Sequence, residues 1–268
     1  MKRAIGFWVK SGVSYDADLV TYMTGLSTPL SVTQKSYLNT FILSLKSGLS
    51  ITNLSDFFDT LYILAGETAE SSYRNLVKRL HDVTAVNSPT WTQYEGSTGD
   101  GISTNLYTNY NPAKQGVNYI KASSHNFVGV RTNDLTDSRM LYGRGPYASG
   151  SGMSEINIRT TNIQFRNNAF AGAASLSHGG NIVGYWGTSR IDGNGYYYYK
   201  NTTGAYKASV AEDIYNGDTR ILSNASAQIS LNQVCFVSAG RYLNAAEVVV
   251  MINAIETYMD ARGKGVIA

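Results

Sequence analysis

From Pro89 onward the chain is a succession of short apolar or aromatic runs, each broken within a few residues by clusters of Gly, Asn, Asp and Ser. That punctuation is the pattern of a β-sandwich or barrel. Candidate strands are Thr90 to Tyr94, Ser103 to Tyr107, Asn126 to Arg131, Arg139 to Tyr142, Glu155 to Thr160, Asn162 to Asn167, Asn181 to Thr188, Gly195 to Lys200 and Gln233 to Ala239. Between two of these, Asp192-Gly193-Asn194-Gly195 predicts a hairpin, because Gly and Asn tolerate the positive φ of a primed turn.

Helical periodicity occurs before Pro89 and again at the far end. Ser31 and Gln34 have capping-box spacing, and Leu38, Phe41, Ile42, Leu45 and Leu49 follow on one helix face, with Gly48 as the expected stop. Phe57 to Leu64 suits a buried strand, and Tyr73, Leu76, Val77 and Leu80 predict a short helix over residues 67 to 80. At the far end Asn244 and Glu247 form a capping pair, Val248, Ile252, Ile255 and Met259 mark a buried face, and Gly263 is the stop.

Only 15% of the 268 residues are charged, against about a quarter in an average soluble protein, while Gly (26) and Tyr (20) are abundant. This is the profile of an all-β domain of extracellular or virion type. The net charge of +3 comes from scattered Lys and Arg, without the basic stripe that nucleic-acid binding needs. The one cysteine, Cys235, lies in an apolar run and reads as a core residue. Met1 to Lys10 is too short a pattern for a signal peptide, and no stretch is apolar enough to insert in a membrane.

The block Gly240-Arg241-Tyr242-Leu243-Asn244-Ala245-Ala246-Glu247, leading into a helix that ends Tyr258-Met259-Asp260-Ala261-Arg262-Gly263, resembles the closing segment of concanavalin A-like (laminin G-like) jelly-roll domains. The upstream order is similar to that of tailed-bacteriophage and prophage structural proteins: a helix ending Leu43 to Gly48, then Phe58 to Ala65, Asn87-Ser88-Pro89-Thr90-Trp91 and Gly99-Asp100-Gly101. The resemblance runs from about Asp16 to the end. It implies a mainly β, concanavalin A-like jelly-roll β-sandwich with a short N-terminal helical region and a C-terminal capping helix. Residues 1–55 would form the N-terminal arm and helical region and 56–268 the sandwich, packed together as one lobe. It also implies that Phe58 to Leu64 is the first sandwich strand and that Arg74 to Val77 is extended, against the periodicity.

Catalytic patterns are missing from the sequence. A retaining glucanase needs two carboxylates about 5 Å apart, but the i+2 neighbour of Glu155 is Asn157, so Glu155 reads as a solvated sheet-face acid. His81, His125 and His178 have no zinc spacing, and His178 reads as a turn residue. Gly143-Arg144-Gly145-Pro146-Tyr147-Ala148 matches a dinucleotide fingerprint formally, but Ser149-Gly150-Ser151-Gly152 cannot found the helix it requires, so it reads as a loop. Asp192-Gly193-Asn194 begins like a calcium loop whose twelfth position is Thr203 instead of Glu. No cofactor is expected; calcium is the weak alternative.

The aromatic residues remain. Alternation puts Tyr196 and Tyr198 on one sheet face and Tyr197 and Tyr199 on the other, with one pair exposed or at an interface. The expected ligand or partner contact is Tyr185, Trp186, Asp192, Asn194, Tyr197 and Tyr199, and packing against a helix or subunit outweighs sugar stacking there. The function expected is a non-catalytic virion component, a fibre, tail-tip or capsid-decoration protein acting in assembly or host-surface contact. Its partners would be other virion proteins, further copies of itself and a host-surface glycan. A lectin-like carbohydrate-binding module and a glycan hydrolase on the same fold are the rival readings.

Overall fold

The computed structural model describes residues 14–145, 152–224 and 228–267. The opening Met1 to Lys10 lies outside them, as does the Gly143 to Gly152 loop from Pro146 to Ser151.

Alternation of apolar residues produces two antiparallel sheets stacked as a sandwich. The strands in chain order are β1 (Phe58–Ile63), β2 (Thr84–Val86), β3 (Thr90–Thr92), β4 (Gly96–Thr98), β5 (Asn105–Tyr107), β6 (Ser124–Val130), β7 (Arg139–Arg144) and β8 (Ser154–Ile158). They continue with β9 (Asn162–Arg166), β10 (Ala174–Ser177), β11 (Gly184–Arg190), β12 (Gly195–Lys200), β13 (Thr203–Ala208), β14 (Arg220–Ile221) and β15 (Gln233–Gly240). The first sheet runs β13-β12-β11-β6-β15-β4-β3, with β1 also paired to β15, and the second runs β10-β9-β8-β7-β14-β5-β2. Each candidate strand is present, with ends shifted by a few residues.

Between the sheets, Val128, Val130, Trp186, Tyr196, Val234 and Val237 meet Leu141, Tyr142, Ile156, Ile158, Ile163 and Phe165. The other side of the first sheet carries a second core, where Phe127, Tyr185, Tyr199 and Phe236 pack against helices α1 (Ala17–Met23), α2 (Val32–Leu49) and α5 (Ala245–Asp260). Two single α-turns, α3 (Ala69–Ser72) and α4 (Pro112–Gln115), and a 3-10 turn at Leu54–Asp56 complete the helices among the described residues. The molecule thus has three layers: helices, first sheet, second sheet. Gly187 makes the helix-side packing feasible, since a Cβ there would stand 2.1 Å from the Phe127 ring of the paired strand.

The helix ends obey their caps. Ser31 Oγ accepts from Gln34 N at 3.1 Å, whereas the Gln34 side chain goes to the Tyr258 hydroxyl at 2.6 Å and ties α2 to α5. Asn244 and Glu247 form the full reciprocal box. Gly263, at φ 65°, stops α5, with Lys264 N donating to Met259 O at 2.9 Å. Val248, Ile252, Ile255 and Met259 are all buried. Lys46 bonds both Asp16 and Asp18, at 2.6 and 2.8 Å, joining α1 to α2.

Four local expectations are corrected. Gly48 does not stop α2; Ser50 does, at φ 53°. Gly48 is instead the point where α2 meets α5, since a Cβ on it would lie 2.4 Å from Val250 Cγ1. The helix over residues 67 to 80 is cut to the single turn α3. Arg74 turns to the carbonyls of Tyr22 and Thr24, at 3.0 and 2.9 Å, and Asn75 bonds Leu61 N, Asp59 O and Leu80 O. These tertiary bonds outweigh a weak propensity. Residues 74–77 form no strand either, although Leu76 N donates to Leu61 O of β1 at 2.9 Å. The Asp192 hairpin exists without a primed turn: neither Gly193 nor Asn194 has positive φ. Asp192 Oδ1 shapes it by accepting from Asn194 N and Gly195 N, at 2.7 and 3.1 Å.

Candidate functional site

The residues expected to form one aromatic surface are divided among three places. Tyr185 and Trp186, consecutive on β11, are both fully buried and point to opposite sides of the sheet. Tyr199 is buried under the helices. An exposed patch at these three residues is therefore corrected: the helix layer covers one sheet face and the second sheet covers the other. Asp192 and Asn194 stay exposed at the hairpin tip, and Tyr197 is half-buried.

Tyr197 does belong to a surface cluster. The Asn201 turn, at φ 53°, sets a register in which Tyr197 faces Tyr206 on β13. Their rings meet edge to face, with centroids 5.3 Å apart, and Tyr206 is 49% exposed. Tyr242, before α5, lies close enough that, after burial, Tyr197 helps raise its hydroxyl above the usual tyrosine range. Sequence reading missed Tyr206 and Tyr242; the register implied by the Lys200-Asn201-Thr202-Thr203 turn was the available signal.

The two ends of the β11-β12-β13 meander differ in character. At the Asp192 end, buried Arg190 holds the carbonyls of Asn167 at 2.6 Å and Ser209 at 2.9 Å. Nearby, buried Arg144 donates to Asn168 Oδ1, Ser154 Oγ and the Tyr119 hydroxyl. That end is closed by a polar plug. At the opposite end, about 20 Å away along a six-residue strand, lies a pocket of about 480 Å³.

The pocket sits at the edge where the sheets part. Leu176 and Ser177 of β10 form one wall and Lys200, Asn201, Thr202 and Thr203 the other, with Asn253 of α5 and Ile267 completing it. Asn201 is fixed by Oδ1, which accepts from Tyr185 N at 2.8 Å. Lys200 Nζ donates to Asn181 O at 3.2 Å and stands 5.0 Å above the Trp186 ring. The result is a concave surface that combines substantial apolar area with several hydroxyl and amide groups.

The residues weighed for catalysis fall elsewhere. Glu155 is not solvated: it is buried and ion-paired with Arg166, its register partner on β9. A carboxylate inside a protein needs such a counter-charge. His125 is buried between Phe58 and Phe127, with Nδ1 donating to Arg241 O at 2.6 Å, and burial pulls it down to about 4. His178 is a buried turn residue whose Nδ1 accepts from Gly180 N at 3.0 Å. Burial pushes the Cys235 thiol up to about 12. Among the described residues, no three His, Cys, Asp or Glu side chains gather where they could hold a metal ion.

No family model and no curated protein sequence matches the chain. Solved structures do match in fold. A Trypanosoma rangeli sialidase in complex with 2,3-difluorosialic acid superposes with a TM-score of 0.54 at 14% identity, over 84% of this chain and 39% of that one. The binding domain of botulinum neurotoxin DC, in complex with rat synaptotagmin II, gives 0.53 at 11% identity, over 76% of this chain and 52% of that one. The binding domain of botulinum neurotoxin serotype D gives 0.50 at 14%, over 74% and 52%. The chain thus spans about half or less of the structures it resembles. At such identities the likeness establishes the fold: a mainly β sandwich of two antiparallel sheets with a C-terminal helix.

Proposed function

We propose that the chain is a non-catalytic recognition module that binds a surface glycan, and that it serves as an attachment or decoration component of a bacteriophage virion. The observation that carries the glycan reading is the pocket between β10 and the β12-β13 turn. Its volume of about 480 Å³ suits one or two sugar rings. Its wall offers Ser177, Asn201, Thr202, Thr203 and Asn253 to sugar hydroxyls, with Leu176 and Ile267 against the apolar ring face. Structural neighbours solved with a sialic-acid derivative and with synaptotagmin II support recognition as a use of this architecture.

The non-catalytic part of the proposal rests on Glu155, the acid weighed for hydrolysis, which is buried against Arg166. The virion setting rests on the order of motifs in the sequence alone. Tyr197, Tyr206 and Tyr242 offer a contact area for a further subunit, because planar side chains give large area at low entropic cost.

Saturable binding on a glycan array, lost when Thr203→Trp fills the pocket and unaccompanied by reducing-sugar release, is the expected result. Absence of any saturable glycan would contradict the binding role, and sugar release that survives purification would contradict the non-catalytic one. Mass spectrometry of purified particles tests the virion setting, which requires the chain to be present in stoichiometric amounts.

A further inference from the structure

We infer that the pocket at the β12-β13 turn selects an acidic sugar, one carrying a carboxylate or sulfate, and that Lys200 recognises the negative group. The inference rests on the glycan reading above and narrows it to a chemical class. Lys200 is the one charged residue among those lining the pocket. Its ammonium is held in place by Asn181 O at 3.2 Å and by the Trp186 ring 5.0 Å below. Trp186 is itself locked, donating from Nε1 to Ile182 O at 2.7 Å. Among the described residues no carboxylate pairs with Lys200, as is also true of Lys35, Lys78, Lys114 and Lys207; what sets Lys200 apart is its place in the pocket lining.

A lysine ammonium has three donors. One is used by Asn181 O and the indole face takes part of the charge, which leaves the pocket-facing side of the ammonium for a ligand. Fixing a long side chain before binding removes the entropic penalty a free lysine would incur. Asn201 adds a donor, since Oδ1 is occupied by Tyr185 N and Nδ2 bonds no described residue. The wall is therefore richer in donors than a neutral sugar requires. As a point charge without a fork, Lys200 would select charge in preference to a particular planar geometry.

The test is titration calorimetry on the intact chain with matched neutral and acidic probes: methyl glucoside with methyl glucuronide, methyl galactoside with methyl galacturonide, and lactose with 3′-sialyllactose. At least one acidic member is expected to bind about tenfold tighter than its neutral partner, as a charge-assisted hydrogen bond would give. That preference should disappear in Lys200→Gln, persist in Lys200→Arg and shrink with added salt. If neutral partners bind as well as acidic ones, or the preference survives in Lys200→Gln, the acidic-sugar inference is overturned while the glycan reading stands. If no probe binds, both fall. Should Lys200→Gln lower the melting temperature, Ser177→Asp gives the same answer from the opposite wall, because a carboxylate lining the same pocket repels an acidic ligand and should abolish the acidic preference.

Discussion

The Tyr185 hydroxyl donates to Glu256 Oε2 at 2.9 Å, so β11 is bonded directly to the C-terminal half of α5. The other oxygen of Glu256 accepts from Val266 N and Ile267 N, at 2.6 and 2.7 Å, which fixes the chain after the helix and with it one wall of the pocket. Burial, with Cys235 and Glu256 adding to it, raises the Tyr185 hydroxyl well above the usual tyrosine range, so it remains a donor throughout the working pH range. Tyr185→Phe removes a hydrogen bond to a charged acceptor and should cost about 1.5–3 kcal/mol in urea unfolding. A variant as stable as the wild type would show that the helix layer does not depend on this link.

Trp186 lies on the other face of the same strand and is completely buried between the sheets. Trp186→Ala should cost about 3–5 kcal/mol, the range for deleting a large buried aromatic. This reverses what an exposed contact would predict, namely an unchanged melting temperature with impaired binding. Tyr206→Ala, on the exposed edge strand, should leave the melting temperature within a few degrees of wild type.

The contact of Gly48 with Val250 leaves no space for a methyl group. Gly48→Ala should therefore destabilise by about 1–3 kcal/mol through overpacking, despite the better helix propensity of alanine. In the double variant with Val250→Ala the penalty should fall, and a double-mutant cycle on thermal stability measures the coupling. Additive effects would mean that Gly48 and Val250 do not crowd one another in solution.

The sandwich itself was legible because clusters of Gly, Asn, Asp and Ser mark the ends of short apolar runs, as Asp192 to Gly195 does before Tyr196 to Tyr199. What alternation could not reveal was which face the helices cover. Tyr185, Trp186 and Tyr199 therefore looked available for contact when each already had a protein partner. The helix over residues 67 to 80 failed for a related reason: spacing reports propensity, whereas Arg74 and Asn75 are committed to backbone groups far away in sequence or across a turn. Gly48 looked like punctuation because a close helix contact leaves no mark on one helix alone. The pocket was invisible because Leu176, Ser177, Asn253 and Ile267 come from segments that only the folded chain brings beside the Lys200 turn.

His125 makes stability depend on pH. Its folded-state pKa, lowered by burial to about 4, lies below the unfolded value of about 6.5. The unfolded chain thus binds more protons between those values, and stability falls as pH falls from about 6.5 to 4, with a slope of about 1.4 kcal/mol per unit from this residue. His125→Asn, which can keep a donor toward Arg241 O, should flatten that slope in urea titrations at pH 7, 6, 5 and 4.

The most direct test of the account is hydrogen exchange of the intact chain with and without a saturating glycan. Recognition at the pocket predicts that added protection concentrates on residues 176–177, 200–203, 253 and 266–267, leaving the Asp192 hairpin tip and the outer surface of α2 unchanged. Protection centred on Asp192 to Asn194 or on the outer face of the second sheet, with none at residues 200–203, would contradict it.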